Sequence, residues 1–346
     1  MRLTTAVRNL ASIVLRDPPA VPGLPRARWI HRLTMDDGAK VAVHEVRSYS
    51  FSVESAPSSA PTTLILVHGF NLTAASWFFQ LAAVREQPNL RILLPDLRGH
   101  GASETTPGPG GPQPMPGLDI ERTAIDLAET IRTLAPTGRL ILAGHSMGAM
   151  TVLGVLRHLS KEDRKRIGGI ALINGAIDTF ASKGVSQILH SHLVRAVRWL
   201  GAQSPTQLEW AKSLVEWAIK PVIAAFIYHG SLDDGASDDF DVLSFHANEI
   251  ANTPMPTLLG YLDDLTDHDE HAAAKLLADI PGEILVGAMD DVTPPSQSRR
   301  IHELWPRAAL HEYPESGHML PVERPEDVNR ALLNLLATPK AGVARG

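Results

Sequence analysis

The sequence predicts an α/β protein with a doubly wound, mostly parallel sheet and a helical segment inserted between two of its strands. Three observations predict this fold class. Several apolar segments of strand length are continuously hydrophobic, which is typical of strands buried on both faces. Helical patterns separate most of them, and such alternation favours parallel strands covered by helices. With 346 residues, 44% of them hydrophobic, the chain can bury a large core.

The first predicted elements belong to a core of residues 28–175 and 275–338. An antiparallel hairpin is expected around Asp36-Asp37-Gly38, because Asp-Gly supplies the positive φ of a tight turn. The buried strands are expected at "TLILVHG" from Thr63, "RILLPD" from Arg91, "LILAGH" from Leu140, "IGGIALING" from Ile167 and "GEILVGAMD" from Gly282, followed by a shorter strand that ends near Pro314. Helices are expected at Trp77–Glu86, Ile120–Leu134, Met147–Leu159, Ser296–Leu304 and Pro325–Leu336.

Two segments interrupt this alternation. Thr105–Gly117 is rich in proline and glycine, which predicts a long surface loop after a strand. Residues 176–274 lack strand-like runs and carry helical patterns, which predicts a helical cap inserted into the core. The aromatic residues of the cap are expected to form mainly its own core: Trp199, Trp210, Trp217, Phe226, Tyr228 and Phe245.

The ends of the chain are predicted to lie outside the core, as an arm of residues 1–27 and a tail of residues 339–346. Apolar residues of the arm recur at helical spacing at Leu3, Val7, Leu10 and Val14. We expect this helix to dock on the chain's own core. Peripheral contact with a lipid surface is the alternative, since arginines lie elsewhere on the same helix.

Composition excludes several classes of function. The formal net charge is -6, so nucleic acid is not expected as a partner. The absence of cysteine excludes disulfides, thiolate metal sites and cysteine nucleophiles, and mildly favours a cytoplasmic location. No window approaches the roughly 20 apolar residues of a membrane-spanning helix. Arg8 and Arg16 interrupt the N-terminal apolar run, so a signal peptide is not expected.

The segment "LILAGHSMGAM" places a serine between a buried strand and a helix. Gly144-His145-Ser146-Met147-Gly148 matches G-x-S-x-G in the strand–turn–helix context that gives the motif its meaning. The glycines allow neighbouring backbone to pass close by. The helix N-terminus directs amides and the positive end of its dipole towards charge that develops beside the serine. Ser146 is therefore predicted to be a nucleophile.

A serine nucleophile needs a general base that is oriented by a carboxylate. Asp290 and Asp291 end a predicted strand at the sheet edge where function collects in open α/β proteins. His318 follows the last predicted strand, in a loop that can reach the serine. The order Ser, Asp, His along the chain is the order that nucleophile-elbow hydrolases use.

These motifs resemble those of the α/β-hydrolase fold superfamily, from about Trp29 to Leu336. The resemblance implies that the acid precedes a proline by four residues in G-x-x-D-x-x-x-P, which favours Asp290 over Asp291. Asp178 is a further rival, because some members of the superfamily take the acid from the end of that earlier strand.

The segment "LVHGFNLTAASW" resembles the oxyanion loop of the same superfamily. The resemblance implies that the backbone amides of Phe70 and Met147 hold the oxyanion. The segment "LLPDLRGHGAS" resembles the superfamily's D-x-x-G-x-G-x-S segment, which characterises the fold more than the chemistry. Residues in or beside these motifs that we expect to be structural are His68, His145, Asp96, Arg98 and His100.

No cofactor and no metal ion are predicted. "DHDEH" at Asp267–His271 has metal-ligating residue types but no partner motif that completes a tetrahedral site. "SLDDGASDDFD" at Ser231–Asp241 lacks the glycine and terminal glutamate of a calcium-binding loop. No G-x-G-x-x-G follows the first buried strand, so a nucleotide cofactor is not supported.

The predicted activity is hydrolysis of a carboxylic ester, with an apolar acyl or alcohol part, through an acyl-enzyme. Ser146 attacks the ester, His318 transfers the proton and Asp290 orients His318. The same three residues serve thioesterases, prolyl peptidases, C–C hydrolases and cofactor-free haloperoxidases, so these activities stay open. An acyltransferase and a non-catalytic ligand-binding protein are the remaining alternatives.

Overall fold

The structure is a computed structural model. It describes residues 23–25, 28–51, 61–105, 117–178, 242, 245–246, 248–250 and 252–338. Most of the predicted arm, the whole predicted tail, the centre of the proline-rich loop and much of the predicted cap lie outside the described residues. Of the aromatic residues assigned to the cap core, only Phe245 is described.

Among the described residues, eight strands form one sheet in the order β1-β2-β4-β3-β5-β6-β7-β8. The strands are β1 (Trp29–Thr34), β2 (Lys40–Arg47), β3 (Thr62–Val67), β4 (Leu90–Pro95), β5 (Leu140–His145), β6 (Ile167–Ile173), β7 (Gly282–Gly287) and β8 (Ala308–Tyr313). β2 pairs antiparallel with β1 and β4, and the other neighbouring strands pair in parallel. The predicted doubly wound, mostly parallel sheet is confirmed.

The central strands form where the sequence is continuously apolar. β5, β6 and β7 are buried at every residue, as expected for strands covered on both faces. The edge strand β1 instead alternates between exposed and partly buried residues. The predicted hairpin joins β1 to β2: Gly38 has a φ of +87°, and Met35 N–H donates to the carbonyl of Ala39 at 2.8 Å.

Helices cover both faces of the sheet. They are α1 (Phe78–Val84), α2 (Ile120–Leu134), α3 (Met147–His158), α4 (Lys161–Arg166), α5 (Met255–Asp267), α6 (His271–Ala274), α7 (Pro295–Leu304), α8 (Leu320–Glu323) and α9 (Pro325–Ala337). Successive strand residues point to opposite faces, so Ile65 packs in the core with α2, α3 and α7, while Leu64 packs with α1 and α9.

The helix boundaries agree with the sequence pattern except near Trp77. The predicted helix Trp77–Glu86 is α1, but a short 3-10 helix, Ala74–Trp77, precedes it. The earlier start follows from Thr73, whose side chain caps the 3-10 helix by accepting from Ala75 N–H. The short helices α4, α6 and α8 were not predicted from the sequence.

Most of the described part of the predicted cap is helical, and it lies against the core. Residues 242, 245–246, 248–250 and 252 are helical, and α5 follows them. From α5, Thr257 Oγ1 donates to the carbonyl of Gly99 at 3.0 Å, and Tyr261 Oη donates to the carbonyl of Arg98 at 3.0 Å. The cap boundaries remain predictions. Among the described residues, no helix has the length and hydrophobicity to cross a membrane.

Candidate active site

Ser146 lies at a sharp turn between β5 and α3. Its φ of 54° and ψ of -123° are strained for a residue with a side chain. The turn requires glycine on both sides, because a Cβ at Gly144 would overlap the backbone of Gly148, and one at Gly148 would overlap the carbonyl of Val67. This close crossing of β3, β5 and α3 places Ser146 at the carboxyl edge of the sheet.

His318 reaches Ser146 from the loop after β8. Its Nε2 lies 2.9 Å from Ser146 Oγ, which is hydrogen-bond distance. Ser146 is 7% exposed and His318 is 5% exposed, so the pair is nearly shielded from water. The structure therefore brings together two predicted site residues that lie 172 positions apart in the chain.

Asp290 lies on the other side of the His318 ring. His318 Nδ1 is 2.9 Å from Asp290 Oδ2 and 3.1 Å from Oδ1. Because the carboxylate accepts from Nδ1–H, the opposite nitrogen of the imidazole has a lone pair directed at the serine hydroxyl. The three side chains thus form a continuous chain of hydrogen bonds.

Asp290 is held by several donors besides His318. Its Oδ1 accepts from the backbone amides of Val292 and Thr293 at 2.8 and 2.9 Å. Its Oδ2 accepts from Asn174 Nδ2 at 2.6 Å and from Thr293 Oγ1 at 2.9 Å. Burial raises the pKa of Asp290, but its electrostatic interaction with His318 and these hydrogen bonds outweigh burial and hold the pKa below its usual value.

The rival carboxylates lie elsewhere. Asp291 is exposed, and the hydrogen bonds from His318 Nδ1 go to Asp290. Asp178 accepts from Gln297 Nε2 at 2.8 Å, and its Oδ2 lies 3.6 Å from His271 Nε2. Asp290 thus occupies the position beside the His318 ring, and its role as the acid partner stays a prediction.

The predicted oxyanion loop runs against Ser146. A Cβ at Gly69 would lie 3.2 Å from the Cβ of Ser146 and 2.8 Å from His145 Nδ1, so the loop backbone is close to both residues. Phe70 follows Gly69, and Met147 is the first residue of α3. The assignment of the Phe70 and Met147 amides to an oxyanion remains a prediction.

Neutral histidines hold this loop in place. His68 Nδ1 donates to the carbonyl of Gly69 at 2.7 Å, and His100 Nε2 accepts from Asn71 N–H at 3.2 Å. Burial lowers the pKa of His100 to about 3, so near pH 7 its ring keeps the lone pair that accepts from Asn71. These contacts agree with the structural role expected of His68 and His100.

Three residues make supporting contacts that were not predicted from the sequence. Asn174 Nδ2 donates to Asp290 and also, at 3.1 Å, to the carbonyl of Gly317. Glu323 accepts from the amides on both sides of His318, those of Gly317 at 2.6 Å and Met319 at 2.8 Å. His145 Nε2 donates to the carbonyl of His318 at 2.8 Å. Asn174 directly follows a buried strand and so lies at the carboxyl edge of the sheet, which is a sequence signal for a role at the site. Nothing in the local sequence marks Glu323.

The acidic segment Asp267–His271 lies in the part of the chain that the structure describes. There, no group of three or more His, Asp or Glu side chains has the arrangement of a metal site. In Asp267–His271, the Asp269 side chain accepts from the backbone amide of His271 at 2.9 Å and pairs with its ring at 2.8 Å. The other acidic segment, Ser231–Asp241, lies outside the described residues.

The sheet is mostly parallel, and the serine at its strand–helix turn faces a histidine and a carboxylate from later loops. This arrangement defines the class of proteins with a nucleophile elbow. Residues 64–331 match the model of the Alpha/beta hydrolase family, and the chain belongs to this family. The family resemblance inferred from the sequence motifs is confirmed.

Two curated relatives share about a quarter of their aligned residues with this chain over four fifths of its length. The dihydrolipoyllysine-residue acetyltransferase component of the acetoin cleaving system of Pseudomonas putida is 26% identical, over 80% of this chain and 63% of that protein. The chain thus spans less than two thirds of that relative's length. Pimeloyl-[acyl-carrier protein] methyl ester esterase of Chromobacterium violaceum is 25% identical, over 80% of this chain and 94% of that protein.

A solved structure shows the same fold. A thermophilic esterase from Thermogutta terrifontis superposes with a TM-score of 0.62 at 20% identity, over 89% of this chain and 98% of the esterase. At this identity the likeness concerns the fold alone.

Proposed function

We propose that the protein is a serine hydrolase that cleaves a carboxylic ester through an acyl-enzyme. The observation that carries this proposal is the chain of hydrogen bonds from Ser146 Oγ through His318 to Asp290, with distances of 2.9 Å at both links. Membership of the Alpha/beta hydrolase family supports hydrolysis as the reaction class.

In the first half of the reaction, Ser146 Oγ bonds to the ester carbonyl carbon while His318 Nε2 accepts its proton. The Asp290 carboxylate stabilises the resulting imidazolium through Nδ1. The amides of Phe70 and Met147 donate to the negative oxygen of the tetrahedral intermediate. His318 then returns the proton to the leaving alcohol, and the acyl group remains on Ser146.

In the second half, His318 removes a proton from water, and the hydroxide attacks the acyl carbon. Collapse of this second intermediate releases the carboxylic acid and restores the serine hydroxyl with the proton from His318. The two steps together consume one ester and one water and yield one acid and one alcohol.

An apolar part of the substrate is supported by the aromatic rings beside the oxyanion loop. The Phe70 ring is 5.9 Å from Tyr261 of α5, and Phe78 is 5.7 Å from Phe245 of the predicted cap. A curated relative named as a methyl ester esterase supports an ester in preference to an amide.

The proposal is tested with a fluorophosphonate probe and a series of nitrophenyl esters of graded acyl length. We expect the probe to label the wild type and the Ser298→Ala variant, whose altered serine is also buried but lies in α7. Ser146→Ala should not be labelled, and its kcat should fall by about 10⁴-fold or more.

Equal labelling or equal ester turnover by the wild type and Ser146→Ala would contradict the proposal. Products are analysed with and without an added alcohol. A new ester formed from that alcohol, in place of the acid, would assign acyl transfer instead of hydrolysis.

A further inference from the structure

Glu323 is a partly buried carboxylate of α8 that the proposed mechanism does not use. Its Oε2 accepts from the backbone amide of Gly317 at 2.6 Å, and its Oε1 accepts from the backbone amide of Met319 at 2.8 Å. These amides belong to the residues directly before and after His318. One side chain, with one oxygen for each amide, therefore holds the backbone on both sides of the predicted general base.

The loop that carries His318 needs such an acceptor. Residues 316–320 are all buried, so their amides are shielded from water. A buried amide without an acceptor is unfavourable, and a charged acceptor makes a stronger hydrogen bond than a neutral one. An ionised carboxylate offers both oxygens as acceptors, which is the arrangement observed here.

Capping of α8 accounts for only one of the two hydrogen bonds. Met319 is the N-cap of this helix, and a glutamate near the start of a helix can accept from the N-cap amide. Gly317 lies two residues before the N-cap, outside the helix. The hydrogen bond to Gly317 therefore fixes the loop itself and not the start of α8.

The helix that carries Glu323 is fixed to the core. Leu320 is fully buried and packs in the same cluster as Leu81 of α1. Gln80, also of α1, donates from Nε2 to the carbonyl of Pro321 at 2.8 Å. Glu323 thus acts from an element whose own position is set by apolar burial and by a buried hydrogen bond.

Donors from the sheet hold the carbonyls of the same loop. Asn174 Nδ2 donates to the carbonyl of Gly317 at 3.1 Å, and His145 Nε2 donates to the carbonyl of His318 at 2.8 Å. Glu323 adds acceptors for the amides. Both kinds of backbone group are therefore bonded around the imidazole, and Glu323 supplies the only one of these side chains with a negative charge.

Two carboxylates act on the His318 ring. Asp290 accepts from Nδ1, and Glu323 interacts with His318 electrostatically. Burial raises the pKa of Glu323, and Asp290 adds to this, whereas the two amide hydrogen bonds and His318 act in the opposite direction. His145, from β5, is neutral near pH 7, because burial lowers its pKa to about 3. An attraction between two groups is mutual, so the Glu323 carboxylate favours the protonated form of His318.

We propose that Glu323 is a positioning residue for His318: its carboxylate fixes the backbone on both sides of the imidazole, and its negative charge favours the imidazolium that forms when Ser146 gives up its proton. This inference rests on the proposed ester hydrolysis. Without Glu323, the ring is held less precisely between Ser146 and Asp290. Both proton transfers then slow, so kcat should fall more than KM changes.

The test is the pH profile of kcat and kcat/KM with a nitrophenyl ester. Glu323→Gln keeps the shape and one acceptor oxygen, but it loses the charge and turns an NH₂ group towards one backbone amide. Its kcat should fall about tenfold, with KM changed less than about twofold. The midpoint of the acid limb of kcat/KM, where His318 loses its proton, should move to lower pH by about half a unit to one unit.

Two further variants separate positioning from a general effect of charge or folding. Glu323→Ala loses the charge and both acceptors, so the acid limb should move as in Glu323→Gln while kcat falls about 100-fold. Glu315→Gln is the matched control, since Glu315 lies three residues before His318 but is exposed. It should keep the wild-type kcat and acid limb.

Circular dichroism verifies that each variant is folded. Wild-type kcat in folded Glu323→Ala would overturn the proposal. A lower kcat in Glu323→Gln with an unmoved acid limb would overturn it as well, because that result would show a structural role alone.

A second readout does not depend on ester turnover. In the Ser146→Ala background, NMR of ¹⁵N-labelled histidine follows the titration of the His318 ring, whose signals are identified by their loss in His318→Gln. Adding Glu323→Gln should move this titration to lower pH by about half a unit to one unit. This shift would stand even if the ester hydrolysis were wrong, whereas an unmoved titration would contradict the role of Glu323.

Discussion

At the scale of single residues, Asn174 joins the two loops that meet at the site. Its amide donates to Asp290 at 2.6 Å and to the carbonyl of Gly317 at 3.1 Å, and its side chain is fully buried. Asp290 follows β7, whereas Gly317 directly precedes His318. One side chain at the end of β6 therefore sets the distance between the carboxylate and the imidazole.

We expect Asn174→Ala to lower kcat/KM by about 10- to 100-fold, mostly through kcat. Loss of two buried hydrogen bonds corresponds to about 1.5–3 kcal/mol, and Asn174 is not expected to touch the substrate. The measurement is ester turnover by folded protein, verified by circular dichroism. Asn334→Ala, an exposed change in α9, is the control. Wild-type kcat/KM in Asn174→Ala would show that other contacts suffice.

At the scale of elements, the site depends on how closely α3 crosses the sheet. Gly148, in the first turn of α3, lies against the backbone carbonyls of Val67 and His68 at the end of β3. β3 leads directly into the predicted oxyanion loop, and β5 leads into Ser146. Backbone contact between helix and strand therefore sets the position of this loop relative to Ser146.

Gly148→Ala should destabilise the fold by about 3 kcal/mol and abolish ester turnover, because strand backbone cannot move aside without displacing the loop. Gly154→Ala, in the same helix, is the graded control. Its Cβ would meet side-chain atoms, Glu270 Oε1 at 2.9 Å and Ala124 Cβ at 3.0 Å, which can shift by a few tenths of an ångström. Urea unfolding of both variants measures the difference, and equal losses would contradict this account.

At the scale of the whole molecule, buried neutral histidines couple stability to pH. They lie in the loops around the site and in the predicted cap, at His68, His100, His145, His246 and His268. Burial lowers the pKa to about 3 for His100 and His145, and to about 4 for His246 and His268. In the unfolded chain the same groups titrate near 6.5.

The folded state should therefore lose stability as pH falls from about 6.5 towards 3. Over that window the unfolded chain binds more protons than the folded one, and each pKa unit of difference costs about 1.4 kcal/mol per group. Carboxyl groups with raised pKa, such as Glu249, oppose this trend only in part. Urea midpoints at pH 7, 5 and 4 measure the effect. His268→Gln should flatten the dependence, and a midpoint independent of pH would contradict it.

Much of the fold and of the candidate site follows from local sequence patterns. The glycine of the hairpin, the apolar runs of β3 to β7 and the G-x-S-x-G turn each express a constraint that acts within a few residues. The helix Ile120–Leu134 agrees with its prediction at both ends, since Asp119 caps its start by accepting from Arg122 N–H. The start of the element near Trp77 was missed because the capping Thr73 was not recognised as a helix signal.

Local sequence patterns establish the backbone conformations and the order of the chemical groups along the chain: a strained serine, a later aspartate at a strand end and a later histidine in a loop. The partners of these groups follow from the folded arrangement of distant segments. Asn174 bonds to Asp290 across 116 residues and Glu249 bonds to Thr73 across 176, and no local pattern encodes such pairs. Hydrogen bonds between distant segments depend on the sub-ångström packing of several elements at once. Turns, strands and helices depend instead on the steric and apolar preferences of neighbouring residues.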